Sequence, residues 1–429
     1  MPIHTKSKKP SAAQSLREAQ RYLMNTYKRP PILFTHGKGC YLFDQRGKKY
    51  LDMLGGIAVN VLGHAHPRLL RVIRREAART IHTSNLFHNP WQGPLGKKLV
   101  AWSQMDRVFL TNSGTEAIEG ALKLARIHAR QTAGEGKTRI LALENSFHGR
   151  TFAAVSITAT AKYREPFAPL VPGVEFVRFN DVHDLEAKFD SSVCALVLET
   201  IQGEGGIYPV SEAFWQRARQ LATQHGAALI ADEIQCGLGR TGRYFAYQKF
   251  SDLPDIVVVA KPLAGGLPLG AILARGTFAD TFTPGLHGTT FGGGPLVCAT
   301  ALEFLNTVDD EHLLANIRAR GTELQAGLLQ LASKFDFVRE LRGEGLILGL
   351  ELAVPGADYV TAALRRGLVM NCTHDYTLRL LPAFILTSRQ VNEFLAKLET
   401  VFAKTKRPKS EAAHPSASPD AETVLVAAR

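Results

Sequence analysis

Two ionisable side chains stand at the ends of apolar runs, and their chemistry is complementary. Lys261 follows the run at residues 256–260, and Asp232 follows the run at 227–231. Burial at the end of a strand would lower the pKa of a lysine and leave a nucleophilic amine. An amine that captures an aldehyde and a carboxylate that keeps a ring nitrogen protonated are the two groups a pyridoxal 5'-phosphate site needs. The pair therefore predicts that cofactor, with Lys261 and Asp232 as catalytic residues.

Taken alone, Lys261 has a simpler interpretation. Long cationic side chains commonly reach solvent from a strand end, and an isolated lysine would be read that way. Asp232, which also stands at the end of an apolar run, favours a cofactor site instead.

A third feature lies in the segment NSGTEA at residues 112–117. Ser113 and Glu116 have the spacing of a capping box, which predicts that a helix begins here. The first turn of a helix offers free backbone amides and the positive end of the dipole, so it can bind a phosphate. An ordinary helix cap explains the same residues equally well, and the pattern alone leaves both interpretations open.

Alternating strands and helices must position these groups. Short apolar runs that read as strands recur at residues 140–143, 155–157, 176–179, 195–198, 227–231, 256–260 and 270–274. Helical segments lie between several of them, the clearest running from Ser211 to Gly226. This order predicts an α/β fold whose largely parallel sheet is covered by helices and binds ligands at the carboxyl ends of its strands.

The pattern divides the chain into five parts. We predict a disordered basic tail at 1–15, an N-terminal segment packing with the small domain at 16–75, and a large cofactor-binding domain at 76–294. A smaller α+β domain at 295–404 and a disordered tail at 405–429 follow. A first helix is predicted at 15–25, and further helices at 67–79, 295–308, 312–335 and 388–402, the last capped by Thr387 and Gln390.

Composition excludes several classes of protein. The chain has 429 residues, 45% hydrophobic and 21% charged, which is typical of a soluble globular protein. Its five cysteines form no CxxC pair, which favours a reducing, cytoplasmic location without structural zinc. His64 and His66 lack further ligands and are interpreted as part of a turn. The net charge of +12 is read as basic tails and a site for anionic small molecules, not as nucleic-acid or membrane binding.

The ordered motifs NSGTEA, SFHGRT, LETIQGEGG, ADEIQCGLGRTG, VVVAKPLAGGLPLGA and HGTTFGGGP resemble those of the class III aminotransferases, which have the pyridoxal-phosphate fold of type I. The resemblance runs from about residue 37 to residue 402. Within the family, the motifs are most similar to those of the acetylornithine enzymes. They imply a large domain with a mostly parallel sheet and a smaller α+β domain.

The resemblance also assigns roles to residues. It implies that Lys261 forms the Schiff base and moves the proton, and that Asp232 pairs with the ring nitrogen. It places the rest of the cofactor site at Gly114, Thr115, Phe147, Glu233, Ile234, Gln235 and Thr290. It places substrate binding at Arg150, Thr289, Glu199 and Arg379. Glu199 and Arg379 are expected either to switch between substrates or to form a static ion pair.

The implied reaction moves the ω-amino group of N-acetylornithine to 2-oxoglutarate, in arginine biosynthesis. Alternative donors are ornithine, succinylornithine, 4-aminobutyrate or another ω-amine. A glutamate-1-semialdehyde aminomutase and a dialkylglycine-type decarboxylase are further alternatives on the same fold. Because Thr290 would reach the phosphate of a neighbouring subunit, the resemblance also implies a homodimer with shared active sites.

Overall fold

The computed structural model describes residues 11–406. The two predicted tails therefore fall largely outside the described residues. The chain opens with a helix and a small antiparallel meander, and two longer helices follow. These elements are α1 (Ala12–Tyr22), β1 (Phe34–Lys38), β2 (Tyr41–Asp44), β3 (Lys49–Asp52), α2 (Gly55–Ala58), α3 (Pro67–Ala77) and α4 (Gln92–Ser103).

The middle of the chain alternates between strands and helices. Its elements are β4 (Arg107–Thr111), α5 (Gly114–Ala133), β5 (Arg139–Leu143), α6 (Phe152–Ser156), α7 (Ala161–Arg164), β6 (Val174–Val177), α8 (Val182–Lys188), β7 (Val193–Glu199), β8 (Ile201–Gln202), β9 (Tyr208–Pro209), α9 (Glu212–His225), β10 (Ala228–Asp232), β11 (Ile256–Val259) and β12 (Gly270–Ala274).

The last third begins with two long helices and ends with another. Its elements are α10 (Pro295–Asp310), α11 (Leu313–Lys334), β13 (Val338–Glu344), β14 (Ile347–Leu352), α12 (Ala357–Arg365), β15 (Leu368–Val369), β16 (Asn371–Thr373), β17 (Thr377–Leu380) and α13 (Ser388–Lys404).

A seven-stranded sheet in the order β4-β12-β11-β10-β7-β5-β6 forms the centre of the molecule. Strands β11, β10, β7, β5 and β6 are mutually parallel, and β12 runs antiparallel to both of its neighbours. Strands β7, β10, β11 and β12 are buried along their whole length. This confirms the α/β fold with a mostly parallel sheet.

Alternate residues of the central strands enter two different cores. Val257 of β11 packs in the core that contains Trp215 of α9, whereas Val258 packs in the core that contains Ile118 and Ala121 of α5. Helices therefore cover both faces of the sheet, and its ends stay available for ligands. Among the described residues, no helix is both long enough and apolar enough to cross a bilayer.

Three smaller sheets complete the fold. Strands β13, β14, β17 and β16 form an antiparallel sheet in that order, and β8 pairs with β9. The N-terminal meander β1-β2-β3 continues into β15, which pairs in parallel with β3. The N-terminal segment is thus joined by strand pairing to the last third of the chain. The predicted domain boundaries stay a prediction.

Two sequence-based assignments are wrong. Residues 155–157, read as a strand, lie at the end of helix α6, because the carboxylate of Glu119 accepts the backbone N–H groups of Ala153 and Ala154 and starts a helical turn. Residues 12–15, assigned to the disordered tail, are helical. The first helix begins there because the Ser11 side chain accepts the N–H of Gln14.

Candidate active site

Lys261 and Asp232 both lie at the carboxyl edge of the central sheet, next to two neighbouring parallel strands. Asp232 ends β10 and is the register partner of Val258 in β11, and Lys261 follows β11 closely. Burial lowers the pKa of Lys261, while the charges of Asp232 and Glu204 act against that shift. In the described part of the chain, no acceptor bonds its amine. Lys261 therefore has the properties of a nucleophile.

Asp232 is buried beside a histidine that the sequence analysis did not name. Its Oδ2 accepts a hydrogen bond from Nδ1 of His148 at 2.7 Å, and its Oδ1 accepts the N–H of Ile234 at 3.0 Å. Burial acts to lower the pKa of His148, but the hydrogen bond and charge of Asp232 outweigh it and raise the pKa above the ordinary value. The raised pKa favours a protonated imidazole beside the Asp232 carboxylate.

The start of α5 lies at the same edge of the sheet. Ser113 Oγ accepts the N–H of Glu116 at 3.3 Å, as predicted, but the Glu116 side chain accepts the N–H of Asn112 rather than that of Ser113. The N–H groups of Gly114 and Thr115 bond no acceptor within residues 11–406. Two free amides at a helix start are suited to bind an anion.

Arg379 is fully buried, and its ion-pair partner is Glu204 rather than the predicted Glu199. Its Nη1 donates to Glu204 Oε1 at 2.5 Å, to Gln235 Oε1 at 3.0 Å and to the Gly203 carbonyl at 3.3 Å. Its Nη2 is buried without a hydrogen-bond partner in the described structure. Because an unpaired guanidinium nitrogen is unfavourable in the interior, this one points to an anionic ligand.

Glu199 has a different environment from the one expected. Its carboxylate accepts the N–H of Phe147 at 2.9 Å and that of Gly203 at 2.8 Å, and burial raises its pKa to about 7. The predicted Glu199–Arg379 pair is therefore wrong. Glu199 instead fixes the two loops that carry Phe147 and Glu204.

Arg150 and Phe147 lie together on the exposed side of this edge. The guanidinium of Arg150 stacks over the ring of Tyr163 at 3.7 Å and lies 5.4 Å from the ring of Phe147. No carboxylate pairs with Arg150 in the described residues, which leaves its fork free to bind one from solution. Tyr163 had not been identified from the sequence.

The two threonines of the HGTTFGG motif differ in environment. Thr289 Oγ1 accepts a hydrogen bond from Asn112 Nδ2 at 2.9 Å, which ties it to the turn before α5. Thr290 is exposed, and its side chain has no partner within the part of the chain that the structure describes.

Comparisons with known proteins give the family. Residues 22–402 match the family described as Aminotransferase class-III. The acetylornithine aminotransferase of Aquifex aeolicus is 42% identical over 89% of this chain and 99% of its own length. That of Gloeobacter violaceus is 44% identical over 90% and 96%. The crystal structure of ornithine aminotransferase from Toxoplasma gondii ME49 is 32% identical and superimposes with a TM-score of 0.88 over 92% of this chain and 96% of that one.

The chain belongs to the class III aminotransferases. Pyridoxal phosphate is the cofactor of this family, and the residues of this aminotransferase fit it. The free amides of Gly114 and Thr115 suit its phosphate, the carboxylate of Asp232 suits its ring nitrogen, and the unpaired amine of Lys261 suits its aldehyde. Among the described residues, no cluster of side chains could hold a metal ion.

Glu233, Ile234 and Gln235, which follow Asp232 in the sequence, contribute to the site in different ways. A Cβ on Gly114 would meet Ile234 Cδ1 at 2.8 Å, so Ile234 packs directly against the start of α5 in this aminotransferase. Gln235 lies against Gly203, where an added Cβ would come within 2.2 Å of Gln235 Nε2. Both residues border the site. The Glu233 side chain instead accepts hydrogen bonds from Thr200 and from the backbone of Ala246 and Tyr247, so it stabilises the fold beneath the site.

Proposed function

We propose that this aminotransferase moves the ω-amino group of N-acetylornithine to 2-oxoglutarate, giving N-acetylglutamate 5-semialdehyde and glutamate. The observation that carries the proposal is a pair of arginines in different states, with Arg150 open and Arg379 paired with Glu204. The relatives from Aquifex aeolicus and Gloeobacter violaceus support the choice of donor. The reaction would serve arginine biosynthesis in the cytoplasm. The five cysteines, all free thiols, support that compartment.

The two arginines fit the two substrates of such a transfer. N-acetylornithine carries one carboxylate, far from the amine that leaves, and Arg150 would bind it while Glu204 neutralises Arg379. Glutamate carries a carboxylate next to its amine and another at the far end. Arg379 would bind the near carboxylate once Glu204 moves away, and Arg150 would bind the far one. The exposed third of the Glu204 side chain gives it room to leave.

Each cofactor-facing residue has a defined task. When bound, pyridoxal phosphate supplies an aldehyde that receives the amino group and a protonated ring that withdraws electrons from the substrate carbon. Asp232, held by His148, would keep the proton at the ring nitrogen, and the amine of Lys261 would move a proton from the substrate carbon to the C4′ carbon of the cofactor. Gln235 would donate to the phenolic oxygen, Phe147 would cover the ring, and the first turn of α5 would hold the phosphate.

Free ornithine is a second candidate donor. The structural similarity to the ornithine aminotransferase of Toxoplasma gondii, with a TM-score of 0.88, favours it. Ornithine differs from N-acetylornithine by a second ammonium group, so the two donors distinguish a site for a neutral amide from a site for a cation.

We also propose that the enzyme is a homodimer. Ile81, Leu86, Phe87 and Phe291 form an exposed apolar patch in two adjoining loops, here called the loop patch, and Leu86 is 86% exposed. Asn85 Nδ2 donates to the carbonyls of Thr289 and Gly292 and joins the two loops on either side of Thr290. Exposed apolar surface of this kind indicates an interface between proteins. A second subunit on the loop patch would receive Thr290 at its phosphate site.

A panel of amino donors tests the function. Each donor is added to the purified holoenzyme without a keto acid, and loss of the visible absorbance band reports transfer of its amine. Glutamate formed from 2-oxoglutarate is then measured. N-acetylornithine should react with the highest kcat/KM, and the Lys261→Ala variant should give no turnover. A faster reaction with ornithine or 4-aminobutyrate would reject the proposed donor, and retained turnover without Lys261 would reject the role of that amine.

A further inference from the structure

The loop at residues 203–207 carries Glu204 and lies across one row of the small antiparallel sheet. Arg342 of β13 faces Gly349 of β14 in the strand register, and Gly349 in turn faces Arg379 of β17. Cross-strand neighbours in register project to the same face of a sheet. Two arginines therefore flank a glycine on the face where the loop lies.

Gly349 lets the loop at residues 203–207 pack directly against the sheet. A Cβ at Gly349 would meet Ile207 Cβ at 2.9 Å and Cγ1 at 3.0 Å, so a larger residue would push the loop away. The loop backbone also has positive φ at Gly206, which favours glycine there.

Arg342 holds the far end of this loop. Its Nε and Nη2 both donate to the carbonyl of Gly206, at 3.1 and 2.9 Å, and its guanidinium stacks over the Tyr208 ring at 3.8 Å. Its charge is balanced by Glu340 and Glu351. Arg342 is 7% exposed, so these hydrogen bonds are formed in the protein interior, where they hold the backbone firmly.

The near end of the loop is held by Arg379, which binds the Gly203 carbonyl and the Glu204 carboxylate. Thr373 Oγ1 donates to the Glu204 carbonyl. When a substrate carboxylate takes Arg379, the Glu204 side chain loses its partner, but the contacts of Thr373 and Arg342 with the loop backbone are unaffected. The backbone can then stay in place while the side chain turns away and later returns.

We propose that Arg342 is a positioning residue for Glu204 and thereby sets the preference between an ω-amine donor and glutamate. This inference rests on the proposed function, because it assumes that Glu204 neutralises Arg379 for one substrate and releases it for the other. With Gly206 released, Glu204 would neutralise Arg379 less completely. The ω-amine donor would then react more slowly, and glutamate would compete better for Arg379.

The Arg342→Lys variant tests this inference, because lysine keeps the charge beside Glu340 and Glu351 but cannot donate twice to Gly206 from a planar fork. The measured quantity is kcat/KM for N-acetylornithine divided by kcat/KM for glutamate, from single half-reactions of the holoenzyme. We expect this ratio to fall about tenfold, the size of effect that loss of one charge-assisted hydrogen bond produces. The matched control is Arg339→Lys, an exposed arginine of the same strand, which should leave the ratio unchanged.

A double variant of Arg342 and Glu204 distinguishes a positioning role of Arg342 from a general loss of activity. If Arg342 acts through Glu204, Arg342→Lys should change the ratio little once Glu204→Gln is already present. Equal losses in both half-reactions, or fully additive effects with Glu204→Gln, would overturn the inference.

The two proposals fail in different ways. If another ω-amine of the panel reacts in place of N-acetylornithine, the proposed donor is wrong, and the ratio is measured with that amine. If no ω-amine reacts while glutamate does, both proposals are rejected. An unchanged ratio in an active Arg342→Lys enzyme rejects the positioning role alone.

Discussion

The interaction of His148 with Asp232 is a buried electrostatic contact at the level of single residues. Burial of the imidazole and the charge of Asp232 act on the pKa of His148 in opposite directions, and the carboxylate prevails. Folding therefore favours the protonated histidine. The contribution of His148 to the free energy of unfolding therefore depends on pH, and it decreases as the pH rises.

We expect the His148→Gln substitution to cost most at acidic and neutral pH. An unfolded histidine titrates near pH 6.5, and the folded pKa of His148 is higher, so its contribution to the free energy of unfolding is full below about pH 6.5. It is lost as the pH rises through the folded value. Urea unfolding of the cofactor-free wild type and variant at several pH values measures this difference.

His128 provides a control of opposite sign. It is buried against Thr281, and burial lowers its pKa, so the unfolded chain binds the proton more readily. The advantage of the wild type over His128→Gln should therefore grow as the pH rises towards about 6.5 and then stay constant. The same pH trend in both variants would contradict the assignment of a protonated His148.

Arg150 should be sensitive to replacement by lysine. Lysine keeps the charge but lacks the planar fork that binds both oxygens of a carboxylate, so KM for N-acetylornithine should rise by about 10- to 100-fold. The absorbance of the bound cofactor should not change. Arg130→Lys, at the exposed end of α5, is the matched control. An unchanged KM in Arg150→Lys would place the substrate carboxylate elsewhere.

The sequence predicted which residues carry the chemistry of the site better than it predicted which residues bond to each other. Lys261 and Asp232 could be found because each is a charged residue at the end of an apolar run. Glu204 was missed, because the motif LETIQGEGG offers two glutamates and nothing local indicates which one reaches an arginine 175 positions away. His148 was missed for the same reason, since its partner Asp232 lies 84 residues further on.

At the level of elements, the start of α5 also positions the loop that carries Arg150. Thr115 Oγ1 accepts the backbone N–H groups of Arg150 and Thr151, both at 3.3 Å, and shares a hydrogen bond with Thr151 Oγ1 at 2.7 Å. The helix start thus fixes the loop that carries Arg150. The proposed phosphate binding at α5 and carboxylate binding at Arg150 would therefore be coupled through this single hydroxyl.

The Gly149→Ala substitution should disrupt this coupling. Gly149 has φ of +140°, and a Cβ there would come within 2.4 Å of Thr115 Oγ1. The loop must shift, so KM for N-acetylornithine should rise by about tenfold, and the cofactor should bind less tightly. Gly136→Ala is the control, since open space surrounds that glycine and its φ is not positive. Steady-state kinetics and titration with pyridoxal phosphate measure both effects, and an unchanged KM would contradict the coupling.

Elements were predicted well where a pattern was long and less well where it was short. Helices α9, α11 and α13 begin and end within two residues of their predicted bounds, and side-chain caps mark the starts of α9 and α13. The run at 155–157 is too short for its periodicity to separate a strand from a helix. Its helical form depends on Glu119, which comes from α5 and is distant in sequence.

At the level of the whole molecule, the loop patch and Thr290 bear on the proposed dimer, in which one subunit would complete the site of another. Thr290 lies between residues whose carbonyls are fixed by Asn85, so its position is well defined although its side chain has no partner in the described chain. A residue fixed in this way on an apolar surface is suited to act across an interface. A two-fold dimer would then contain two shared sites.

Mixed dimers of two inactive variants test this arrangement. Lys261→Ala removes the amine, and Thr290→Asp places a negative charge where the phosphate of the partner would bind, so each homodimer should be inactive. In a mixed dimer, the subunit that keeps Lys261 receives Thr290 from its partner, and one site is complete. Random exchange of equal amounts should therefore restore about a quarter of wild-type activity per subunit.

Phe87→Asp in both variants should prevent the recovery by blocking the interface, whereas Leu329→Asp, on the exposed face of α11, should not. Sedimentation measures the dimers directly, and mixed dimers that form without regaining activity would show that each subunit builds its site alone.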